Sequence, residues 1–405
     1  MNVIICQYGS RHRYAIPEIL DEKGVNVSLY TDSCAISIIG KCAKLMSKIL
    51  GAKTPKIVKR LEKRIPHINN GIIRCTDMPL IISFINKVIF RSQNRQDISR
   101  ISEVTLDRMM VKWGVYPNSI IYSMNSQRYY NFFNLAKRKN CKIVIDVYSS
   151  LYLKEIVLKE KQKIWNTKIS YYDKKIIDEK IDESLKIYKM ADILLCPSRW
   201  VALSIENKFP ELKSRIRLCP YGSSIKYGLQ HNIPIRGRYF FAGRDPIIKG
   251  LHYLAEAAQI LKEKYPNIEF RVAGVIDKDI VNSANYKSLT FLGELDSDNM
   301  RSEFLCADAF ILPSICEGMA SVCVESLSVG CPIIVSPSCG IDPVCGMFGG
   351  IVLHELSTCL LIEAIEKMFL DREFRDKCAS TALKLSNYYT RDEWGKRLMT
   401  ILNNL

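Results

Sequence analysis

Residues 309–332 read AFILPSICEGMASVCVESLSVGCP. The first four residues form an apolar run typical of a buried strand, and a polar loop follows them. A helix is then predicted to end near Val329, because Gly330 suits the position after a helix and Pro332 cannot continue one. The stretch therefore predicts a strand, a loop and a helix, which is the repeating unit of a parallel α/β sheet.

Similar units occur on both sides of this stretch. In the first half the predicted strands are Val3–Cys6, Val25–Tyr30, Ser119–Ser123, Lys142–Val147, Asp192–Cys196 and Arg215–Pro220. In the second half they are Arg238–Ala242, Ile268–Ala273, Leu289–Leu292, Ala309–Leu312 and Ile333–Ser336. Helical segments separate most of them, including one long charged region predicted over 151–190. The fold class is therefore α/β, with two Rossmann-like domains facing a central cleft at the carboxyl ends of their strands.

The length of 405 residues exceeds one ordinary core, so two domains are expected. The predicted boundaries are 1–222 for the N-terminal domain, 223–237 for a linker, 238–385 for the C-terminal domain and 386–405 for a last helix.

Charge is divided unevenly along the chain. The net charge is +16, and residues 1–237 carry +21 whereas residues 238–385 carry −6. A basic half indicates an anionic partner such as a phospholipid surface, a lipid diphosphate or nucleic acid. No zinc finger, RNP-like or helix-turn-helix signature accompanies the charge, so we expect no nucleic acid and keep that partner as an alternative only.

The basic segment 41–65 contributes much of this charge. Residues 41–64 hold nine Lys and Arg and one acid, and Thr54-Pro55 is predicted to start a second helix there. A basic amphipathic helix can lie on anionic lipid. The alternative, a docked surface helix whose basic face is only solvated, explains this segment equally well. The net charge of +21 over residues 1–237 favours contact with an anionic membrane surface.

The sequence also limits where the chain is expected to act. No stretch of about 18 apolar residues occurs, so no spanning helix is expected. The start MNVIICQYGS resembles a first strand and not a signal peptide. Fifteen cysteines without a CxxC pair predict small buried thiols in a reducing compartment. We therefore expect a cytoplasmic protein, at the inner face of the cell membrane if the basic segment binds lipid.

Two glutamates flank the helix start within 309–332. Glu317 lies in the predicted loop and Glu325 two turns into the predicted helix. Between them, the backbone N–H groups of Met319, Ala320 and Ser321 are predicted to lack helical partners, and such a terminus binds phosphate or a developing oxyanion. Carboxylates accept hydrogen bonds from the vicinal hydroxyls of sugars and ribose. Two such glutamates prove little alone, but the preceding strand and the capped helix favour a binding site.

A second motif reads FFAGRDPIIKG over residues 240–250. It follows the first predicted strand of the C-terminal domain, and Arg244 and Lys249 share the loop before the next helix. A guanidinium fork combined with an ammonium suits a diphosphate better than either group alone. The alternative is two ordinary surface charges around a turn, which the position at a strand end disfavours.

These two motifs, in this order and about seventy residues apart, resemble the GT4 family of retaining GT-B glycosyltransferases. Residues 192–198, 220–222 and 388–394 are also similar to family segments. The resemblance implies a GT-B fold whose last helix crosses back to the N-terminal domain. It also implies transfer of a sugar, with retention of configuration, from a nucleotide sugar to a glycan or lipid-linked acceptor in cell-surface polysaccharide synthesis.

The same resemblance implies roles for individual residues. Arg244 and Lys249 would hold the donor diphosphate and Glu317 would contact the transferred sugar, which makes these three the catalytic candidates. The donor-binding candidates are Gly9, Ser10, Gly243, Gly318, Met319, Ala320, Ser321 and Glu325.

One position departs from the family pattern. Many GT4 members have a histidine after the strand that ends here in Asp146, and this chain has Tyr148 at that place. A tyrosine can donate a hydrogen bond but is not a near-neutral acid–base group. Either that histidine's role is dispensable, or His12 supplies it. Tyr148 and His12 are therefore candidates for an acceptor or sugar contact.

Two Asp-x-Asp motifs, at 277–279 and 296–298, raise a metal-dependent alternative. Ser297 or Asp298 is also a natural cap for a helix over 299–306, and the two-domain pattern favours that explanation. We expect no metal and no cofactor besides the nucleotide-sugar donor. A nucleotide-sugar epimerase or other non-transferase enzyme on this fold, a nucleic-acid-binding protein and a non-catalytic donor-binding protein remain alternatives.

Overall fold

The computed structural model describes residues 1–88, 95–124, 128–166, 168–223 and 231–405, with their side chains except those of 88 and 95–99. Within these ranges the chain forms two parallel β-sheets, each flanked by helices. The predicted fold class of two Rossmann-like α/β domains is therefore confirmed.

The first sheet belongs to the basic half. Its strands are β1 (Asn2–Gln7), β2 (Asn26–Thr31), β3 (Ile72–Cys75), β4 (Ile120–Met124), β5 (Lys142–Asp146), β6 (Ile193–Cys196) and β7 (Ile216–Leu218). They lie in the order β3-β2-β1-β4-β5-β6-β7. The helices of this half are α1 (Ala15–Glu22), α2 (Ile38–Leu50), α3 (Lys56–Glu62), α4 (Met78–Val88), α5 (Arg95–Trp113), α6 (Tyr130–Arg138), α7 (Leu153–Trp165), α8 (Tyr171–Tyr188) and α9 (Arg199–Lys208).

The second sheet follows in the acidic half. Its strands are β8 (Arg238–Ala242), β9 (Glu269–Ala273), β10 (Thr290–Gly293), β11 (Ala309–Leu312), β12 (Ile333–Val335) and β13 (Gly350–Val352). They lie in the order β10-β9-β8-β11-β12-β13. The helices are α10 (Leu251–Lys264), α11 (Lys278–Val281), α12 (Ser297–Cys306), α13 (Ser321–Ser328), α14 (Thr358–Leu370), α15 (Arg372–Ser386) and α16 (Arg391–Asn403). Short 3₁₀ turns lie at Gly51–Lys53, Pro210–Arg215, Ala284–Tyr286, Pro337–Cys339 and Asn387–Tyr389, and a tight turn with left-handed residues lies at Arg11–Tyr14.

The region predicted as one helical stretch over 151–190 contains two helices, α7 and α8. The break has a local cause at Ser170, where the side chain accepts a hydrogen bond from the N–H of Asp173. The Asp173 carboxylate in turn accepts from the N–H of Ser170, which completes a capping box. This reciprocal cap starts a new helix.

The helix α16 returns to the first sheet, as the resemblance implied. Trp394, Leu398 and Leu402 are buried in the core on one face of that sheet. The Arg391 guanidinium also lies 3.2 Å from the carboxylate of Glu18 on α1. The last helix therefore connects the end of the second domain to the first domain through apolar burial and an ion pair.

The predicted linker 223–237 includes residues 224–230, which lie outside the described residues. Beyond them, the Asn232 side chain donates hydrogen bonds of 2.8 Å to the carbonyls of Phe304 and Ala307. The last part of the predicted linker therefore lies along the second domain.

The basic segment forms α2 and α3 on the surface of the first domain. Ser37 caps α2 by accepting from the N–H of Gly40. The prediction that Thr54 caps α3 is wrong. The Thr54 hydroxyl instead donates to the Gly51 carbonyl at 2.6 Å. Within the described parts of the chain, no helix combines the length and apolar character needed to cross a membrane.

Ten of the fifteen cysteines are buried, which fits their predicted packing role. Cys42, Cys345 and Cys359 are exposed and depart from that prediction.

Candidate active site

A cavity of about 550 Å³ lies at the carboxyl ends of the second sheet's strands. Its lining includes eight of the predicted site residues, namely Gly243, Arg244, Lys249, Glu317, Met319, Ala320, Ser321 and Glu325. Of the described residues, the remaining candidates Gly9, Ser10, His12, Tyr148 and Gly318 are outside this lining. The loops after β8 and β11 meet at the cavity because both strands end at the same edge of one parallel sheet.

Lys249 and Glu317 form the buried centre of the cavity wall. The Lys249 Nζ atom lies 2.5 Å from Oε1 of Glu317, and the side chains are 19% and 16% exposed. Burial opposes the charge of Lys249, but the adjacent Glu317 carboxylate outweighs that effect and raises the pKa of the lysine. The ammonium is therefore protonated at neutral pH and is held in place before any ligand arrives.

Gly243 makes room for this lysine. A Cβ atom at residue 243 would lie 2.8 Å from Cγ of Lys249. The glycine therefore lets the Lys249 side chain run along the end of β8 toward Glu317.

Arg244 is placed differently from Lys249. Its side chain is 78% exposed, and its guanidinium lies 3.7 Å from the similarly exposed carboxylate of Glu294. An ion pair between exposed groups contributes only ~0–1 kcal/mol, so it constrains Arg244 weakly. The guanidinium can therefore turn toward an anion in the cavity.

The helix α13 begins beside the ion pair of Lys249 and Glu317. Ala320 is its N-cap residue and makes no side-chain cap, and Ser321 is the first helical residue. The predicted set of unpaired amides needs one correction, because the Ala320 N–H donates to the Cys339 carbonyl at 3.1 Å. Glu325 lies in the second turn of α13, about one turn nearer the start than predicted, because the helix begins only at Ser321.

Gly318 contacts the other domain. Its carbonyl accepts a 2.5 Å hydrogen bond from the Ser198 hydroxyl. A Cβ atom at residue 318 would collide with the Tyr148 carbonyl, so only glycine fits there. Gly318 therefore lies at the interface between the domains and not in the cavity lining.

The first loop of the N-terminal domain is held by a side chain of β1 and by one that directly follows β2. The Gly9 N–H donates to Oδ1 of Asp32 at 2.9 Å, and the Gln7 amide donates to the Gly9 carbonyl at 2.8 Å. The Ser10 carbonyl accepts from the N–H of Arg13 at 3.0 Å and closes the following turn. Neither Gly9 nor Ser10 touches the cavity, but together they set the path of the residues that follow.

Three consecutive non-glycine residues after Ser10 adopt left-handed backbone conformations. The φ angles are 47° at His12, 53° at Arg13 and 63° at Tyr14. Such positions cost on the order of 1–3 kcal/mol each and persist where surrounding structure enforces them. This run brings Arg13 into the cavity lining. Arg13 was missed by the sequence prediction, since nothing in a run of non-glycine residues indicates positive φ.

His12 packs between aromatic rings. Its ring centroid lies 4.3 Å from that of Tyr221 and 5.6 Å from that of Trp394. Burial, followed by the charge of Arg11, lowers the pKa of His12 to about 4. The imidazole is therefore neutral at pH 7 and a weak base, and its position outside the cavity lining disfavours the predicted acid–base role.

Tyr148, which follows β5, contacts the same loop. The Arg11 guanidinium lies 3.8 Å above the centre of the Tyr148 ring, in cation–π geometry. The backbone of Tyr148 also abuts Gly318. The residue at the place of the family histidine therefore joins the first loop to the domain interface.

Asp146 holds two buried tyrosine side chains of the first domain in place. The hydroxyls of Tyr122 and Tyr221 each donate a 2.6 Å hydrogen bond to its carboxyl group. Burial raises the pKa of Asp146 to about 6, although both tyrosine hydrogen bonds oppose that shift. Asp146 therefore orients Tyr221, which in turn packs against His12.

The second Asp-x-Asp motif caps a helix, but through a different residue from those predicted. Asp296 is the N-cap of α12 and accepts from the N–H of Asn299 at 2.9 Å. The helix starts at Ser297, so Ser297 and Asp298 are helical and cannot be the cap. Among the described residues, no group of three or more His, Cys, Asp or Glu side chains could hold a metal ion.

Residues 235–385 match the family described as Glycosyl transferases group 1. An uncharacterized glycosyltransferase of Methanocaldococcus jannaschii is 25% identical over 161 residues, or 38% of this chain and 40% of that protein. The D-inositol 3-phosphate glycosyltransferase of Corynebacterium urealyticum is 22% identical over 247 residues, or 54% and 58% of the two chains. The chain thus spans about half the length of these relatives.

The sucrose-phosphate synthase of Thermosynechococcus elongatus has a similar structure, with a TM-score of 0.68 and 14% identity over 100% of this chain and 98% of that one. This likeness, with the two sheets, confirms the GT-B fold. The matches support a glycosyltransferase function, and they do not favour an epimerase or a nucleic-acid-binding protein.

Proposed function

We propose that the chain transfers a sugar from a nucleotide-sugar donor to a glycan or lipid-linked acceptor, with retention of configuration, in cell-surface polysaccharide synthesis. The observation that carries this proposal is the meeting of Lys249, Glu317 and Arg244 in one cavity at the strand ends of the second sheet. A buried cation next to a carboxylate suits a ligand that joins a diphosphate to a sugar.

In this proposal the cations act on the leaving group. Negative charge builds on the diphosphate as the bond between sugar and phosphate breaks. Lys249 and Arg244 stabilise that charge, and the amides at the start of α13 that remain unbonded add to the effect. No metal is required, because the two side chains supply the positive charge.

The carboxylates act on hydroxyl groups. Glu317 accepts from hydroxyls of the transferred sugar and at the same time holds Lys249 in place. Glu325 binds the donor ribose from its place in the cavity wall. The acceptor hydroxyl attacks from the face that the diphosphate leaves and passes its proton to the departing phosphate oxygen, so the configuration is retained.

The first test is donor binding. A related structure by fold, the HepE protein of Anabaena, was solved with UDP-glucose (TM-score 0.60, 12% identity, 100% of both chains). We therefore expect UDP-glucose to be a useful first member of a nucleotide-sugar panel in a thermal-shift assay. A specific donor raises the melting temperature through a free energy of RT ln(1 + [L]/Kd). Absence of any shift across the panel would contradict the proposal.

The second test is Arg244→Ala. The exposed arginine can be removed with little effect on stability, whereas Lys249→Ala would leave Glu317 buried without its partner. We expect kcat/KM to fall by ~10²–10³ at an unchanged melting temperature. Lys278→Ala, which removes an exposed cation outside the cavity lining, is the matched control. Two further measurements test the alternatives. Full activity in excess chelator would support metal independence. Conversion of the donor in the absence of an acceptor would indicate an epimerase instead of a transferase.

We further propose that the basic segment 41–65 contacts an anionic membrane surface from the cytoplasmic side. Its support is the exposure of α2 and α3 on the first domain, with apolar side chains such as Leu45 and Ile49 at the surface. Lysine stems can lie along such a surface while their charges meet lipid head groups.

A further inference from the structure

A second cavity, of about 460 Å³, lies between α2, α3 and α4, away from the donor cavity. We call it the helical groove, and its walls are mainly apolar, with Met46, Ile57, Leu61, Ile81 and Phe84 among the lining residues. Ile57 is 72% exposed and Phe84 is 65% exposed. Large apolar side chains around one open groove are typical of a site for an apolar ligand.

The charge around the groove defines the polar end of that ligand. Arg60 and Arg64 belong to the lining, and the surrounding segment 41–64 carries nine cations and one acid. Arg64 is already paired, since its guanidinium lies 2.7 Å from Oδ1 of Asp32. Arg60 is exposed at the groove. The complementary ligand is a hydrocarbon chain with an anionic head group, which describes a lipid phosphate.

The groove is connected to the first loop of the N-terminal domain. The Asp32 oxygen that pairs with Arg64 also accepts the N–H of Gly9 at 2.9 Å. The loop that begins at Gly9 carries Arg13 into the donor cavity. A lipid chain in the groove would therefore place its head group on the side of the domain where this loop leads to the cleft.

We propose that the helical groove binds the hydrocarbon chain of a lipid phosphate acceptor, with Arg60 contacting the phosphate. The assignment rests on the proposed function, because it names the chemical class of the acceptor. It differs from contact of the basic segment with a bilayer surface, since the groove takes up a single chain.

The test compares residues of α3 and α4 that line the groove with surface residues of α2 that do not. The probe is dodecyl phosphate below its micelle concentration, with binding measured by calorimetry. The double variant Ile57→Ser, Phe84→Ser removes two apolar side chains from the groove. The control variant Leu45→Ser, Ile49→Ser removes two from α2 that are 60% and 73% exposed and outside the lining. All four side chains are exposed, so each variant is expected to fold.

We expect the groove variant to bind dodecyl phosphate at least tenfold more weakly, and the surface variant to differ from wild type by less than twofold. Arg60→Gln should weaken the binding of dodecyl phosphate and leave the binding of dodecanol unchanged. Equal losses in both double variants would overturn the proposal in favour of insertion into a bilayer surface. A wild-type protein that binds inorganic phosphate as well as dodecyl phosphate would also overturn it.

The melting-temperature rise with the nucleotide-sugar panel, measured on the same preparations, reports the donor cavity independently. A chain that binds the donor but not dodecyl phosphate would refute the groove and leave the transferase proposal standing. A chain that binds neither would refute both.

Discussion

Arg13 is a cation that the first domain contributes to a cavity otherwise lined by the second. It arrives there through the left-handed run at 12–14, which the aromatic packing of His12 stabilises. If the donor diphosphate binds in this cavity, Arg13 adds a positive charge from the opposite side of the cleft.

We expect Arg13→Ala to lower kcat/KM by ~10²–10³ through loss of charge stabilisation, and Arg13→Lys to retain part of the activity. Steady-state kinetics with the donor identified by thermal shift would measure this. Arg138→Ala, at an exposed position on α6, is the control. Unchanged kinetics in Arg13→Ala would place this arginine outside the reaction.

Asp146 predicts a pH effect on stability with a definite sign. Its pKa is about 6 in the folded chain, against an ordinary value of 3.8, so between these values the folded state holds the extra proton. Its contribution to stability therefore falls as the pH rises from about 4 to about 6. Asparagine at this position does not titrate and still hydrogen-bonds to tyrosine hydroxyls.

The free energy of unfolding of Asp146→Asn, relative to wild type, should rise by on the order of 3 kcal/mol between pH 4 and pH 6 and then level off. Urea denaturation at several pH values measures this difference, in which contributions from other groups cancel to first order. A difference that is constant over pH would mean that Asp146 is not buried as described.

At the scale of elements, the loops after β11 and β5 meet at Gly318. Its carbonyl bonds to Ser198, and there is no space for a side chain beside Tyr148. This contact joins the two domains next to the cavity, so it influences how the cleft closes.

We expect Gly318→Ala to push these loops apart and to lower kcat/KM at least tenfold, because Arg13 would no longer lie opposite Lys249 and Arg244 in the cavity. Small-to-large changes in packed sites cost about 1–3 kcal/mol, so the fold should survive. Gly346→Ala is the control, since its surroundings are open and its φ of 74° brings only local strain. Equal activity losses in both variants would indicate a general effect of removing glycine.

The sequence predicts some strands and helices of the fold better than others. The central strands were predicted because continuous apolar runs mark strands buried on both faces. The edge strands β3 and β13 were missed, since they are short and only partly buried. The sequence prediction misses the start of a new helix after Ser170, although Ser170 and Asp173 form a recognisable capping signal.

At the scale of the whole molecule, the division of charge predicts salt-dependent membrane binding. The triple variant Lys41→Glu, Lys44→Glu, Lys48→Glu removes three cations from α2 and adds three anions. We expect it to lose most of its binding to vesicles containing anionic phospholipid, because each lysine near such a surface is worth about 1 kcal/mol.

Sedimentation with vesicles at low and high salt measures this prediction, since screening should also weaken wild-type binding. Reversing two exposed cations of the second domain, Lys278→Glu and Lys287→Glu, is the control. Wild-type protein that stays in the supernatant at low salt would contradict the membrane proposal.

The amino-acid sequence alone predicts the two parallel α/β sheets and eight of the residues that line the cavity at the strand ends of the second sheet. It could do so because apolar runs mark buried strands, and because parallel strands deliver the loops that follow them to a common edge. Arg244, Lys249, Glu317 and Glu325 lie directly in or after such loops.

The remaining features depend on how distant segments of the chain pack together. The left-handed run at 12–14 exists because Tyr221 and Trp394, distant in sequence, pack around His12. The engaged amide of Ala320 and the helical groove likewise depend on segments that meet only after folding. These features arise from contacts between distant parts of the chain, which local sequence patterns do not encode.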